Sequence, residues 1–269
     1  KDVQICKRIA DAIIINKPEQ NVLEIGPGTG ALTQFLIAKK FSLISYEVDI
    51  ESIEYLSLHY PELKLKQKDI LSENWGSVFE DQFTIVGNFP YNISSQIVFK
   101  VFENRAIITQ LVGMFQKEVA ERICAQPGTK KYGILSVLIQ AFYKTSYLFT
   151  VSEEVFDPPP KVKSGVIRFE RNEIEHLNCD EILFVKVVKS TFNQRRKMIR
   201  NSIKNIIGKL ELDHEFLTKR PEQLTVDNFI SLTNFTESII KILMRTMLKE
   251  KENLKKLIQK TFLISEMQT

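Results

Sequence analysis

Four short stretches carry residues whose types and spacing could act on a nucleoside-like ligand, and each lies at or just after the end of a stretch that reads as a strand. The first is Glu24-Ile25-Gly26-Pro27-Gly28-Thr29-Gly30. Glycines after a strand let the backbone approach a ligand closely before the chain turns into a helix. Alone, such a loop also fits an ordinary β-α turn or a dinucleotide site. The second is Glu47, with Val48 beside it, 21 residues after Gly26. A carboxylate at a second strand end accepts hydrogen bonds from ribose hydroxyls, and Asp49 is the rival for that role. The third is Lys68-Asp69-Ile70, where the carboxylate can accept from an adenine amine while Ile70 packs on the ring face. The fourth is Asn88-Phe89-Pro90-Tyr91. An aromatic amine is a poor nucleophile because its lone pair is delocalised into the ring. Acceptors aimed at its protons favour a tetrahedral nitrogen whose lone pair can attack. The side-chain oxygen of Asn88 and the carbonyl of Pro90 supply two such acceptors, and Tyr91 can stack on the base.

Two further segments bear on a nucleic-acid substrate. Phe156 precedes the rigid run Asp157-Pro158-Pro159-Pro160 and is a candidate second wall opposite Tyr91; a core phenylalanine at a strand edge is the plainer alternative. From Ile182 to Leu210 there are eight Lys or Arg and no Asp or Glu. Its centre, Arg195-Arg196-Lys197 with Arg200, is a candidate surface for a phosphate backbone.

These residues need a scaffold that brings strand ends together. Strands are expected at 21–25, 41–48, 63–67, 83–87, 107–115, 147–151 and 165–169, with helices at 29–40, 50–59, 94–103, 117–125 and 133–143 between them. Such alternation implies an α/β doubly wound, mostly parallel sheet, and ligands bind at the carboxyl ends of its strands. After about Asn172 strand patterns vanish. Helices are expected at 181–194, 195–207, 213–218 and 226–234. The domain reading is therefore 1–171 for the catalytic domain, 172–236 for a helical RNA-binding domain, and 237–269 for a helical extension of no assigned role.

Composition is that of a globular chain: 269 residues, 43% hydrophobic, 26% charged and net charge +4. No apolar run reaches the roughly 20 residues of a membrane helix. Cys6, Cys124 and Cys179 are three and widely spaced, which supports neither a disulfide framework nor a zinc site. The expectation is reduced thiols in a cytoplasmic protein, with no metal. The chain begins at Lys1 without Met, already in a helix-like pattern, so preceding residues are inferred to be missing.

The E-x-G-x-G-x-G loop resembles the first motif of methyltransferases, and Asn88–Tyr91 resembles the N-[LIF]-P-Y motif of amino-methyltransferases acting on adenine. Taken with YEVD, KDIL, QKEVAERI, YGILSVLIQ, VFDPPPKVKS, FNQRRKMIRNSIK and RPEQLTVDNFISLTN, the chain resembles the bacterial 16S rRNA adenine N6,N6-dimethyltransferases over about residues 3–235. The resemblance implies a Rossmann-like methyltransferase fold with a seven-stranded sheet and a small C-terminal all-helical domain. It implies S-adenosylmethionine as methyl donor, S-adenosylhomocysteine as product, and two adjacent adenines near the 3′ end of 16S rRNA in the small (30S) subunit precursor as target. Cofactor contacts are expected at Glu24, Gly26, Gly28, Gly30, Glu47, Val48, Asp69, Ile70 and Asn88. Target-base contacts are expected at Asn88, Pro90, Tyr91 and Phe156, and the chain is expected to act as a monomer away from membranes. A G-Q-H-F-L segment that the family carries before Asp2-Val3 is absent here, and the family ends near Asn234. The alternatives are a large-subunit rRNA adenine methyltransferase, or a non-catalytic RNA-binding or assembly factor on the same fold.

Overall fold

Runs such as Asn21–Ile25 and Phe83–Asn88 are buried at nearly every position, covered on both faces as parallel strands are. The computed structural model describes residues 3–156, 160–209 and 212–266, with side chains to residue 255. The proline run therefore lies outside the described residues from Asp157 to Pro159.

The chain divides into two compact units, Lys1–Glu175 and His176–Thr269. In the first, the strands are β1 (Asn21–Ile25), β2 (Ser42–Glu47), β3 (Lys64–Gln67), β4 (Phe83–Asn88), β5 (Ile108–Gln116), β6 (Tyr143–Val151) and β7 (Ser164–Arg171). They form one seven-stranded sheet in the order β3-β2-β1-β4-β5-β7-β6. β1 to β5 pair in parallel, and β7 is antiparallel to both β5 and β6. The strand order reverses between β1 and β4, which opens a crevice at their carboxyl ends. The helices are α1 (Val3–Asp11), α2 (Thr33–Ala38), α3 (Ile50–His59), α4 (Ser94–Glu103), α5 (Lys117–Ile123) and α6 (Ile134–Gln140). Ile9, Ala10 and Ile13 from α1 and its exit pack with Val22, Leu36, Val86 and Val112 in one buried cluster. Burying side chains of this kind contributes about 1.5–3 kcal/mol each.

Two expected boundaries move. The helix expected from residue 29 starts at Thr33, because Gly30 holds a left-handed φ of 84° that no helix accommodates. β6 begins at Tyr143 and not at 147. Tyr143 pairs with Arg171, is 1% exposed, and donates its hydroxyl to the Ile108 carbonyl at 3.0 Å. Those long-range partners override the helical pattern around it.

The second unit contains α7 (Glu181–Asn193), α8 (Ile199–Ser202), α9 (Lys204–Ile207) and α10 (Val226–Glu266). Asp180 caps α7 by accepting from Leu183 N–H at 2.8 Å. Its buried stripe is Phe184, Val187, Val188, Thr191 and Phe192, at helical spacing. Phe192 meets Phe229 of α10 with ring centroids 5.7 Å apart. The single helix expected over 195–207 is broken. After a turn over 194–198, Ile199 N–H donates to the Lys219 carbonyl and Arg200 N–H to that of Leu217. These tertiary bonds take donors that a continuous helix would have used internally. The same pairing holds 213–218 in turns rather than the expected helix. α10 runs unbroken through residue 237, so the stretch read as a separate extension continues the helix before it. Among the described residues no helix is long and apolar enough to cross a membrane.

Candidate active site

The loop after β1 takes its shape from three glycines. Gly26, Gly28 and Gly30 have φ of 67°, 56° and 84°, in the left-handed region that favours glycine. A Cβ on Gly26 or Gly28 would meet nothing within 4 Å, so both border open space. Gly30 differs: a Cβ there would come within 2.6 Å of the Tyr60 ring. Gly26 and Gly28 thus form a cradle, while Gly30 provides close packing.

Glu47 closes the cradle from the end of β2. It is 8% exposed. One carboxylate oxygen accepts from Gly28 N–H at 3.0 Å, and the other from Val48 N–H at 2.7 Å and Asp49 N–H at 3.1 Å. Asp49, the rival acid, is committed as the N-cap of α3, accepting from Ser52 N–H at 2.9 Å. Val48 is 60% exposed beside Glu47.

Glu24 is placed differently from the other expected cofactor contacts. Its side chain is 1% exposed and accepts from the hydroxyls of Thr33 and Ser45 at 2.8–3.0 Å. Burial pushes its carboxyl up to about 7, against the opposing hydrogen bonds from Ser45 and Thr33, and the charge of Glu47 adds to the rise. This carboxylate ties β1 to β2 and to the start of α2 and is closed off from solvent.

Asp69 is exposed after β3, its carboxylate accepting from Leu71 N–H at 2.9 Å. Ile70 beside it is only 4% exposed, and its carbonyl accepts from the Trp75 indole at 2.9 Å. Asn88 is exposed at the end of β4. Pro90 is exposed, and its carbonyl accepts from Ile93 N–H at 3.2 Å, which leaves a second lone pair for a ligand. The Tyr91 hydroxyl is 2.6 Å from Ser164 Oγ. Ser164 is fully buried at the start of β7 and so fixes how the Tyr91 ring sits. A cavity of about 230 Å³ is lined by Asn88, Phe89, Pro90, Tyr91, Phe156 and Pro160. The structure thus brings Tyr91 and Phe156, expected as two walls, to one cavity.

Phe89 anchors this loop from below. It is 1% exposed and its ring lies 4.9 Å from that of Phe115. A Cβ on Gly113 would fall 2.0 Å from Phe89 Cε2, and one on Gly87 would fall 2.6 Å from the Ile25 carbonyl and 2.9 Å from the Phe89 ring. These two glycines form the seat for the ring that holds Asn88 and Pro90 in place. Sequence reasoning assigned them no role, although a glycine inside an apolar strand is a signal of close approach. Gly113→Ala is expected to cost about 1–3 kcal/mol of stability by overpacking, and Phe89→Leu in the same chain is expected to recover most of it. Denaturant unfolding of both variants measures this; an unchanged midpoint for Gly113→Ala would mean that the ring has room to spare.

In the helical unit the basic centre lies on a turn. Arg196, Lys197 and Arg200 are exposed, while Arg195 is half-buried with its guanidinium 3.8 Å from Glu222. Among the described residues, no three His, Cys, Asp or Glu side chains are grouped to hold a metal ion.

A family model described as ribosomal RNA adenine dimethylase matches residues 1–258. The chain is 57% identical over 247 residues to ribosomal RNA small subunit methyltransferase A of Bacteroides thetaiotaomicron, covering 90% of this chain and 92% of that protein. Among solved structures it is similar to a dimethyladenosine transferase from Plasmodium falciparum, with 25% identity, a TM-score of 0.76, and 89% and 97% of the two chains covered. It is also similar to the 23S rRNA methyltransferase ErmE, with 26% identity, a TM-score of 0.63, and 87% and 98% covered.

Proposed function

The chain belongs to the ribosomal RNA adenine dimethylase family, and on that premise we propose that it methylates N6 of two adjacent adenines near the 3′ end of 16S rRNA in the immature small subunit. It is an S-adenosylmethionine-dependent methyltransferase acting on ribosomal RNA. What favours the small-subunit target over the large-subunit alternative is the 57% identity to a small-subunit enzyme, against 26% to a 23S enzyme. A monomer working on the 30S precursor in the cytoplasm is part of the same reading.

The observation that carries it is the convergence at the switch point. The glycine loop, Glu47, Asp69 and Asn88–Tyr91 lie at or just past the carboxyl ends of β1, β2, β3 and β4, four strands adjacent in the sheet. The residues present suit S-adenosylmethionine, because open space faces the Gly26 and Gly28 backbone, with acceptors on one side. When bound there, that cofactor supplies a methyl group on a sulfonium, an intrinsically good leaving arrangement. Glu47 would accept from ribose hydroxyls and Asp69 from the adenine amine, with Val48 and Ile70 bordering the ring. Asn88 Oδ1 and the Pro90 carbonyl would accept from the two protons of the target amine and turn its lone pair toward the methyl carbon. Tyr91 and Phe156 would sandwich the flipped base, as enzymes acting on a base require it out of its stack. Alignment of nitrogen, carbon and sulfur supplies most of the rate. The alkylated amine is acidic enough to lose its proton to water, so no general base is called for.

Glu47→Ala and Asp69→Ala are each expected to weaken S-adenosylmethionine binding by about 1–3 kcal/mol, the cost of an unmade hydrogen bond. Titration calorimetry measures it. Parental affinity in both variants would remove this cofactor site.

A further inference from the structure

The loop that carries Asp69 has little regular structure to hold it. Between β3 and β4 it contains only one short 3-10 turn, Trp75–Ser77, and Asp69 itself is exposed. Its carboxylate is aimed by Leu71 N–H at 2.9 Å. Leu71 is in turn gripped from outside the loop on its carbonyl side: Lys100 Nζ donates to the Leu71 carbonyl and to the Glu73 carbonyl, each at 2.6 Å. The same ammonium lies 5.5 Å from the centre of the Trp75 ring, whose indole N–H holds the Ile70 carbonyl at 2.9 Å. One charge thus fixes the backbone that follows the residues that would meet an adenine ring. The Lys100 ammonium is partly buried, which lowers its pKa, and the negative charge of Asp69 is foremost among those opposing that shift. Lys100 stands on α4, and the first residue of that helix, Ser94, donates its hydroxyl to the Tyr91 carbonyl at 3.0 Å. The helix therefore touches the target-base loop at one end and the cofactor-adenine loop near the other.

We propose that Lys100 is a positioning residue for the cofactor: by clamping the Leu71 and Glu73 carbonyls it aims the Asp69 carboxylate at the adenine amine and keeps that loop in register with Asn88–Tyr91. The inference rests on the reading of Asp69 as acceptor of that amine. Lys100→Met keeps an unbranched apolar stem but removes every donor. It should misaim Asp69 without emptying the glycine cradle.

The discriminating readout is selectivity at the purine 6-position. Calorimetry compares S-adenosylhomocysteine with its inosine analogue, which has a carbonyl where the amine stands. The parental protein is expected to prefer the amine form by roughly tenfold or more, the worth of a hydrogen bond to a charged group. Lys100→Met is expected to bind both weakly with most of that preference gone. Lys100→Arg, which keeps donors and charge, should retain it. Lys100→Gln, with a shorter neutral donor, is expected to fall between and serves as the second variant if the Met form folds poorly. Parental selectivity in a folded Met or Gln variant would overturn the role of Lys100. No selectivity in the parental protein would instead overturn the reading of Asp69, and the inference with it.

Discussion

Asn88→Ala is expected to slow methyl transfer by about 10²–10³-fold, the usual cost of removing one preorganised group that acts on charge developing in the transition state. RNA affinity should change little. Asn88 stands exposed at the end of β4, and its side-chain oxygen would be one of only two acceptors aimed at the reacting amine. In the ground state the amine is planar and an acceptor gains modestly from it. As the nitrogen becomes tetrahedral and positive, its protons become stronger donors. The interaction therefore grows toward the transition state, and its loss falls on the rate. Tyr91→Ala is expected to behave differently, weakening base binding and rate together, because stacking is present before the chemistry begins. Single-turnover assays with saturating subunits separate the two cases. A parental rate in Asn88→Ala would remove the amine-polarising mechanism.

The second large effect concerns docking. Changing Arg196, Lys197 and Arg200 together to Glu is expected to lower subunit affinity roughly thousandfold, at about 1.5 kcal/mol or more for each charged hydrogen bond lost. All three are exposed, and no acid occurs between residues 182 and 210. A pocket that holds one flipped adenine cannot select two positions within a whole subunit, so selection must come from a wider surface that reads RNA shape and backbone. Arg195 is left out of the variant because it faces Glu222 at 3.8 Å, and a carboxylate there would set like charges side by side. Binding titrations across salt concentrations should show a log-log slope shallower by about one for each phosphate contact removed. Cofactor affinity, measured alongside, should stay at the parental value. Parental subunit binding by the triple variant would move the RNA platform elsewhere.

The parts of this molecule that repeat simple periodicities were legible before any coordinates. Mostly apolar stretches located the strands, β3 with its alternating lysines excepted, and each cofactor or base motif lay at or just past a strand end. What escaped were features decided by distant partners. Tyr143 joins β6 because its hydroxyl reaches Ile108 across the sheet. The basic turn at 194–198 interrupts a helical pattern because Ile199 and Arg200 bond to Lys219 and Leu217. The supporting residues of the candidate site share this character. Gly113 is a seat only because Phe89 lies over it. Ser164 matters only through Tyr91, 73 positions earlier in the chain, and Lys100 only through carbonyls more than 25 residues away. Glu24 shows the converse. Its place in the glycine motif suggested a ligand contact, and only its burial against Thr33 and Ser45 reveals a carboxylate turned inward.

The central claim is the identity of the reaction and its target, and one measurement addresses both. Small subunits whose 16S RNA lacks the modification are incubated with the protein and S-adenosylmethionine, and the RNA is digested and read by mass spectrometry. The expected result is four added methyl groups, two on N6 of each of two adjacent adenines near the 3′ end, with none on large-subunit RNA. Methylation confined to 23S RNA, or no methyl transfer by protein that binds both the cofactor and the subunit, would contradict it.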